Sequence, residues 1–195
     1  MKNLRDNLVD LMNTLKTGDI VLYHGNMFVS EVIQAIQDNE WNHVGMIVET
    51  KDGIHIIESR ISKIKGTDRN GVRFTPLSIK SFKNVGVEHI GIKRLKKPLT
   101  KEMLNKLHEW FKEASTKSYE SDIVELIRSV WDGWGGKNKE DLDELFCSEL
   151  VAENLQKIGL LSERKPSNEY TPEDCSKILR LCKGYSYGIP EKYLV

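Results

Sequence analysis

The sequence has few cysteines, few prolines and no excess of either charge. Its 195 residues include three cysteines, five prolines, and 29 basic against 29 acidic side chains. So few cysteines, in odd number, exclude a disulfide framework, and none stands at zinc-ligand spacing, so we expect neither a metal nor another cofactor. Cys175 and Cys182 fall on one predicted helical face and are expected in the core. The balanced charge argues against nucleic acid as a partner.

Long apolar stretches are also missing. No run is long enough to span a bilayer, and the N-terminus lacks the apolar core of a signal peptide. We therefore expect no transmembrane segment and a cytoplasmic location, where reducing conditions keep thiols free. The hydrophobic content of 39% and the charged content of 30% are typical of a globular protein, and the length suits a single domain over residues 1–195. Composition leaves the oligomeric state open.

The first half of the chain is predicted to form a sheet that follows one helix. Leucines from Leu4 to Leu15 share one helical face, which predicts an amphipathic helix over residues 2–16. A second helix is predicted over residues 31–37. Five short apolar runs predict strands, and their order suggests a small, mostly antiparallel sheet or barrel. The runs cover residues 20–23, 43–49, 54–58, 72–75 and 85–95.

The second half of the chain is predicted to be helical. Apolar periodicity predicts one helix that begins after Thr100 and another over residues 122–131, while Thr171-Pro172 starts a further helix. Residues 133–144, rich in glycine and then in charge, predict a loop, either a lid beside a site or an ordinary exposed connection. A sheet followed by helices predicts an α+β fold.

Cys147 is the candidate nucleophile. Apolar residues recur at helical spacing from Leu150 to Ile158, and Gly159 follows as a helix terminator, so the sequence places Cys147 in the first turn of a helix. Unpaired backbone N–H groups and the helix dipole favour a thiolate at that position. A lone cysteine is more often a small apolar core residue. Whether Cys147 is a nucleophile or a core residue depends on whether a base and an orienting group lie close to its thiol.

The predicted hairpin of residues 43–58 supplies both groups if its register is right. With a four-residue connection, Glu49 pairs with Ile54, and His43 and Glu58 lie on one face as diagonal neighbours. A two-residue Asp52-Gly53 loop would move Glu58 out of reach, and a three-residue loop would put the pair on opposite faces. The sequence alone leaves these registers open.

A second histidine of the same hairpin is the rival for the orienting role. His55 lies on the opposite face from the neighbourhood of Glu58 in any straight ladder, so it ranks second. Cys147, His43 and Glu58 are therefore the predicted catalytic residues, with His55 as the alternative to Glu58.

Four motifs, in their order along the chain, resemble those of the circularly permuted papain-like proteins of the NlpC superfamily, in particular its YiiX-like and poxvirus-related group. The motifs are Thr17-Gly18-Asp19-Ile20-Val21-Leu22, Trp41-Asn42-His43-Val44-Gly45-Met46, Ile57-Glu58 and Phe146-Cys147-Ser148-Glu149-Leu150-Val151. The resemblance covers residues 17–174 and leaves residues 1–16 as an extra N-terminal amphipathic helix. It implies a permuted papain-like α+β fold, in which a small antiparallel barrel or sheet precedes the cysteine-bearing helix.

The resemblance also implies an activity. It implies a cysteine-dependent hydrolase, an amidase or peptidase or a related acyl-transfer enzyme, that acts on a small amide, peptide or acyl substrate through a cysteinyl acyl-enzyme. Cys147 would be the nucleophile, His43 the general base and Glu58 the orienting carboxylate, and the Cys147 backbone N–H would contribute to the oxyanion hole. Two alternatives stay open: a non-catalytic binding module that retains the fold, and a lipid acyltransferase or thioesterase.

Overall fold

A computed structural model describes residues 1–25, 40–60, 71–84, 86–116, 140–177 and 179–195. In this part of the chain there are seven strands and five helices. The strands are β1 (Lys2–Asn3), β2 (Ile20–Gly25), β3 (His43–Thr50), β4 (Gly53–Arg60), β5 (Gly71–Pro76), β6 (Val87–Lys93) and β7 (Glu191–Leu194). The helices are α1 (Leu4–Thr14), α2 (Ile79–Lys83), α3 (Lys101–Thr116), α4 (Glu140–Lys157) and α5 (Pro172–Ser176).

All seven strands form one open sheet in the order β1-β7-β6-β2-β3-β4-β5. Neighbouring strands are antiparallel except β1 and β7, which are parallel. The predicted mostly antiparallel sheet and the α+β class are confirmed. The sheet does not close into a barrel, because β1 and β5 are its two edges.

The β3–β4 hairpin has the register that brings His43 and Glu58 together. Glu49 pairs with Ile54, and the ladder continues to a Thr50–Gly53 pair, so the loop itself is residues 51–52. Gly53 is therefore the first residue of β4 and not part of the turn. Its φ of +117° lies in the left-handed region, which glycine adopts without steric cost.

Each face of the sheet is covered by its own helices and has its own buried cluster. Ile20 and Leu22 of β2 and Val44, Met46 and Val48 of β3 belong to the cluster that includes residues of α3 and α4. The intervening residues face the other way, into a cluster with residues of α1 and α2. Members of this second cluster include Val21, Tyr23, Ile47, Ile56, Leu4, Leu11 and Phe82. We call these the α4-side cluster and the α1-side cluster.

Side-chain hydrogen bonds hold helix α4 in place at both ends of its buried face. The helix packs against β3 and β4. The hydroxyl of Ser148 donates to the carbonyl oxygen of Tyr170 at 2.6 Å, and Trp110 Nε1 donates to Asn154 Oδ1 at 2.9 Å. Since all of these groups are buried, each bond satisfies polar atoms that water cannot reach.

The predicted helix starts and stops are partly right. Thr171 forms a capping box with Asp174, and Met103 N–H donates to the Thr100 hydroxyl, so both predicted N-caps are confirmed. Cys182 is exposed, so its predicted place in the core is wrong; α5 ends at Ser176, and the helical spacing does not extend that far.

Several predicted elements fall outside the described residues. The helices over residues 31–37 and 122–131 lie there, as does the glycine-rich start of the predicted loop 133–144. The end of that loop is wrong, because residues 140–144 belong to α4. These residues include two glutamates and a leucine, which have high helix propensity. The many charged residues of the segment nevertheless favoured the prediction of a loop. None of the described helices has the length and apolar character needed to cross a membrane.

Candidate active site

His43 and Glu58 form a buried pair. Nε2 of His43 lies 3.2 Å from Oε2 of Glu58, and the exposed fractions of the two side chains are 1% and 0%. The prediction that they share one face of the hairpin is confirmed. A buried carboxylate is costly unless it accepts hydrogen bonds, so this contact fixes both side chains in place.

Gly45 gives the two strands room to approach beside this pair. A Cβ atom at this position would lie 2.5 Å from Cγ2 of Ile56, 3.1 Å from the carbonyl oxygen of Ile57 and 3.4 Å from Cβ of Glu58. Contacts below 3.0 Å do not occur between a Cβ and a neighbouring side chain, so any larger residue would push β3 and β4 apart. The glycine is therefore part of what positions Glu58.

Two hydroxyl groups also contact the Glu58 carboxylate. The Tyr23 hydroxyl donates to Oε2 at 3.0 Å, and the Thr75 hydroxyl donates to Oε1 at 2.6 Å. Neither residue is predicted from the sequence to belong to the site. Each lies near the end of a predicted strand, but only the pairing of β2 with β3 and of β4 with β5 shows that these ends meet at Glu58.

The ring of His43 is held from the β2 side as well. Tyr23 is its cross-strand partner, and the two rings meet edge to face with centroids 4.9 Å apart. Because Glu58 accepts and does not donate, Nε2 is assigned as the protonated nitrogen of the neutral imidazole. Nδ1 is then the nitrogen that can accept a proton.

His55 does not lie with this group. It pairs with Val48, and its Nδ1 is 3.1 Å from the Thr50 hydroxyl and 3.3 Å from the carbonyl oxygen of Gly53, beside the hairpin loop. It lies three positions before Glu58 along β4, so the two side chains leave opposite faces of the strand. The contact with His43 therefore favours Glu58 as the orienting group.

Cys147 is buried in helix α4 and does not begin it. It is the eighth residue of Glu140–Lys157, so the predicted first-turn position is wrong. In a regular helix the backbone N–H at this position donates to the carbonyl oxygen four residues earlier. This N–H is then not available to stabilise a thiolate or to bind an oxyanion. The side chain has no exposed surface and belongs to the α4-side cluster.

The sheet lies between Cys147 and the cluster that surrounds the His–Glu pair. Tyr23, which contacts both His43 and Glu58, belongs to the α1-side cluster, whereas Cys147 and Val44 belong to the α4-side cluster. His43 is the first residue of β3, so the two faces meet close to its side chain. The structure thus joins His43 to Glu58, and the meeting of Cys147 with His43 stays a prediction.

A metal centre is not apparent in the described part of the chain. No group of three or more histidine, cysteine, aspartate or glutamate side chains is arranged there to hold a metal ion.

The class of protein follows from the fold together with the sequence order of these residues. An antiparallel sheet supplies a histidine and then a carboxylate, and a later helix packed on the same strands supplies a cysteine, which is the permuted papain-like arrangement. The family model described as permuted papain-like amidase enzyme, YaeF/YiiX, C92 family, matches residues 14–171. The chain belongs to this family.

Comparison with solved structures gives a more distant likeness. One similar structure is described as metalloprotein yiiX from Escherichia coli O157:H7, with 20% sequence identity and a TM-score of 0.44. The match covers 73% of this chain and 66% of that chain, just under two thirds of its length. A comparison with curated proteins gave no match.

Proposed function

We propose that the protein hydrolyses an amide bond through an acyl-enzyme on Cys147, with His43 as general base and Glu58 as orienting carboxylate. The observation that carries the proposal is the 3.2 Å contact between Nε2 of His43 and Oε2 of Glu58, both inaccessible to water. A histidine oriented by a buried carboxylate is the arrangement that activates a nearby thiol or hydroxyl. Family membership supports the same reaction type.

The proposed reaction moves one proton back and forth through Nδ1 of His43. Nδ1 takes the proton of the Cys147 thiol, and the sulfur attacks the amide carbonyl carbon. When the C–N bond breaks, Nδ1 returns the proton to the leaving amine, and the acyl group stays on sulfur. Water then attacks the thioester with Nδ1 as base, which releases the acid and restores the thiol. Glu58 stabilises the imidazolium formed in each half-reaction.

The proposal requires that the thiol and the imidazole meet at the start of β3. Helix α4 packs against β3 and β4, the two strands that carry the base and the carboxylate, which supports this requirement. Cys147 lies on the other face of the sheet from Tyr23, so its sulfur must reach His43 around the first residue of the strand. Formation of the reactive pair is therefore a specific, testable step.

Thiol alkylation tests the proposal without knowledge of the substrate. Iodoacetamide labelling of each cysteine, resolved by peptide mass spectrometry, should show Cys147 reacting at about pH 6, where an ordinary thiol is almost wholly protonated. His43→Ala should lower the alkylation rate of Cys147 by about tenfold or more at that pH, because the imidazolium that stabilises the thiolate is removed. Exposed Cys182 is the internal control and should be unaffected. Equal labelling of Cys147 with and without His43 would overturn the base assignment.

The substrate class is proposed as a small amide or peptide. A panel of amides and matched esters, assayed with wild type and Cys147→Ala, should give turnover that is lost in the variant. Turnover of lipid esters alone would favour the acyltransferase or thioesterase alternative, for which the described residues offer no specific support. A panel without any turnover, together with an unreactive Cys147, would favour the non-catalytic binding module.

A further inference from the structure

We infer that Tyr23 and Thr75 are positioning residues of this site, which hold the Glu58 carboxylate ionised and aimed at His43. The inference rests on the proposed function, since it concerns the base of that reaction. Neither hydroxyl needs to touch the substrate. Both act through Glu58.

The hydrogen bonds to Glu58 use both oxygens of its carboxylate. Thr75 donates to Oε1 at 2.6 Å, while Tyr23 and His43 approach Oε2 at 3.0 and 3.2 Å. The side chain of Glu58 has no exposed surface, so water does not replace a missing donor. A carboxylate that accepts several hydrogen bonds is stabilised in its charged form, and each lost donor favours the neutral acid.

The charge on Glu58 matters because a neutral acid cannot stabilise an imidazolium. With one hydroxyl removed, Glu58 would hold a proton to higher pH, and the thiolate–imidazolium pair would form only at higher pH. The acid limb of the pH–rate profile would move upward. A merely structural role for the hydroxyl would lower stability without moving this limb.

Other groups close to Glu58 also influence the charge of its carboxylate or contact Tyr23. Arg73 is the cross-strand partner of Glu58 on β5, so it lies on the same face and its charge also favours the carboxylate. On the side of α2, the ring of Tyr23 contacts the apolar ring of Phe82, and the two ring centroids are 5.7 Å apart. Tyr23 and Thr75 therefore supply the neutral donors, and Arg73 supplies a cationic side chain that both variants keep.

Conservative variants separate positioning from packing. Tyr23→Phe keeps the ring that contacts His43 and Phe82 and removes only the hydroxyl. Thr75→Val keeps the shape and removes the donor, while Thr75→Ser restores it. Tyr193→Phe is a matched control, because Tyr193 belongs to the same α1-side cluster and its hydroxyl donates at 3.1 Å to a different glutamate, Glu191.

The experiment is the pH profile of Cys147 alkylation in these variants. We expect Tyr23→Phe and Thr75→Val to lower the rate at about pH 6 by about tenfold and to shift the acid limb upward. Thr75→Ser and Tyr193→Phe should follow wild type. Once a substrate is found, kcat should fall with KM unchanged.

Two different failures can be told apart. If the alkylation rate of Cys147 in the wild type depends on His43, but Tyr23→Phe and Thr75→Val have the same pH profile as the wild type, the positioning inference is wrong and the proposed function stands. If wild-type Cys147 is no more reactive than in His43→Ala, the proposed function itself fails, and this inference fails with it. A shift in Tyr193→Phe as large as in Tyr23→Phe would also overturn the inference.

Discussion

Gly45 faces Ile56 across the β3–β4 hairpin so closely that an added Cβ would lie 2.5 Å from Cγ2 of the isoleucine. The same Cβ would lie 3.4 Å from Cβ of Glu58. The backbone of β3 at Gly45 therefore lies close to Cβ of Glu58, the residue whose carboxylate contacts His43. The absence of a side chain at Gly45 permits this strand spacing.

Gly45→Ala should disturb both stability and the proposed reaction. The extra methyl group forces the strands to shift, which should lower the free energy of unfolding by about 1–3 kcal/mol. Because Glu58 moves with the strand, Cys147 alkylation at about pH 6 should also slow. Gly188→Ala is the matched control, since the nearest atom to its added Cβ is 3.8 Å away. Urea denaturation and Cys147 alkylation of both variants measure these effects. If Gly45→Ala kept the stability and the alkylation rate of wild type, the role given to the glycine would be contradicted.

The three proposed catalytic residues should differ in how much activity their loss removes. Cys147→Ala and His43→Ala should abolish turnover of an amide substrate, because each removes an atom that bonds to the substrate or carries the proton. Glu58→Gln keeps the shape but loses the charge, and residual turnover should remain at about 10⁻² to 10⁻⁴ of wild type. Steady-state kinetics on purified, folded variants measure this. Full activity of His43→Ala would exclude it as the base.

Lys93 should make stability depend on pH in a defined window. Its Nζ is buried and donates to the carbonyl oxygens of Cys175, at 2.6 Å, and Lys177. Burial lowers the pKa of Lys93 from 10.5 to about 8. Between these values the unfolded chain binds more protons than the folded one, so the Lys93 contribution to stability increases as pH rises.

The measurement for Lys93 is a difference between two proteins. Burial raises the pKa of the Cys175 thiol from 9.0 to about 12, although the charge of Lys93 lowers it. This shift acts in the opposite direction at high pH, but up to about pH 10 the folded thiol stays protonated with or without Lys93, so its contribution cancels in the difference. The free energy of unfolding of wild type minus that of Lys93→Met should therefore stay constant below about pH 7 and rise by about 1–3 kcal/mol toward pH 10. A difference that does not change with pH would show that the amine stays charged in the folded state.

Asp19 should be a structural residue of the Thr17-Gly18-Asp19 motif. Its buried carboxylate accepts the N–H groups of Lys16 and Leu95 and pairs with Arg94 Nη1 at 3.1 Å, which ties the start of β2 to the end of β6. Burial nevertheless raises the pKa of Asp19.

Removal of this carboxylate would leave two partly buried N–H donors, those of Lys16 and Leu95, without their acceptor. We expect Asp19→Ala to lower the free energy of unfolding by about 2–4 kcal/mol. Asp10→Ala, at an exposed position on α1, is the control and should have little effect. Denaturant titration distinguishes the two. If Asp19→Ala were as stable as the control, the motif would need a role other than connecting β2 with β6.

The hairpin could be predicted because its information is local. Alternation of apolar residues set the faces of β3 and β4, and the short connection restricted the register to a few alternatives, one of which brings His43 and Glu58 together. The strand pairing of the structure selects that alternative. Tyr23 and Thr75 could not, because their contacts with Glu58 depend on which strands pair across the whole sheet. Pairing of that kind is decided by packing of the complete fold, and propensities do not encode it.

The place of Cys147 in its helix could not be predicted for a different reason. Apolar residues show helix periodicity only from Leu150 onward, and the charged residues before Phe146 lack this pattern, which favours a loop. They continue the helix instead, so the cysteine lies inside it. The spacing of Cys175 and Cys182 likewise suggests a longer helix than the structure has, because α5 ends at Ser176 and Cys182 is exposed.

Ser148 follows Cys147 directly, and its hydroxyl bonds to the carbonyl oxygen of Tyr170, one residue before the capping box of Thr171 and Asp174. The turn of helix that carries the thiol is thereby connected to the segment that leads into α5. Any movement of this turn that brings the sulfur of Cys147 closer to His43 would have to break this bond or carry the α5 segment along. The bond to Tyr170 therefore restrains the position of Cys147 independently of the strands that hold the histidine.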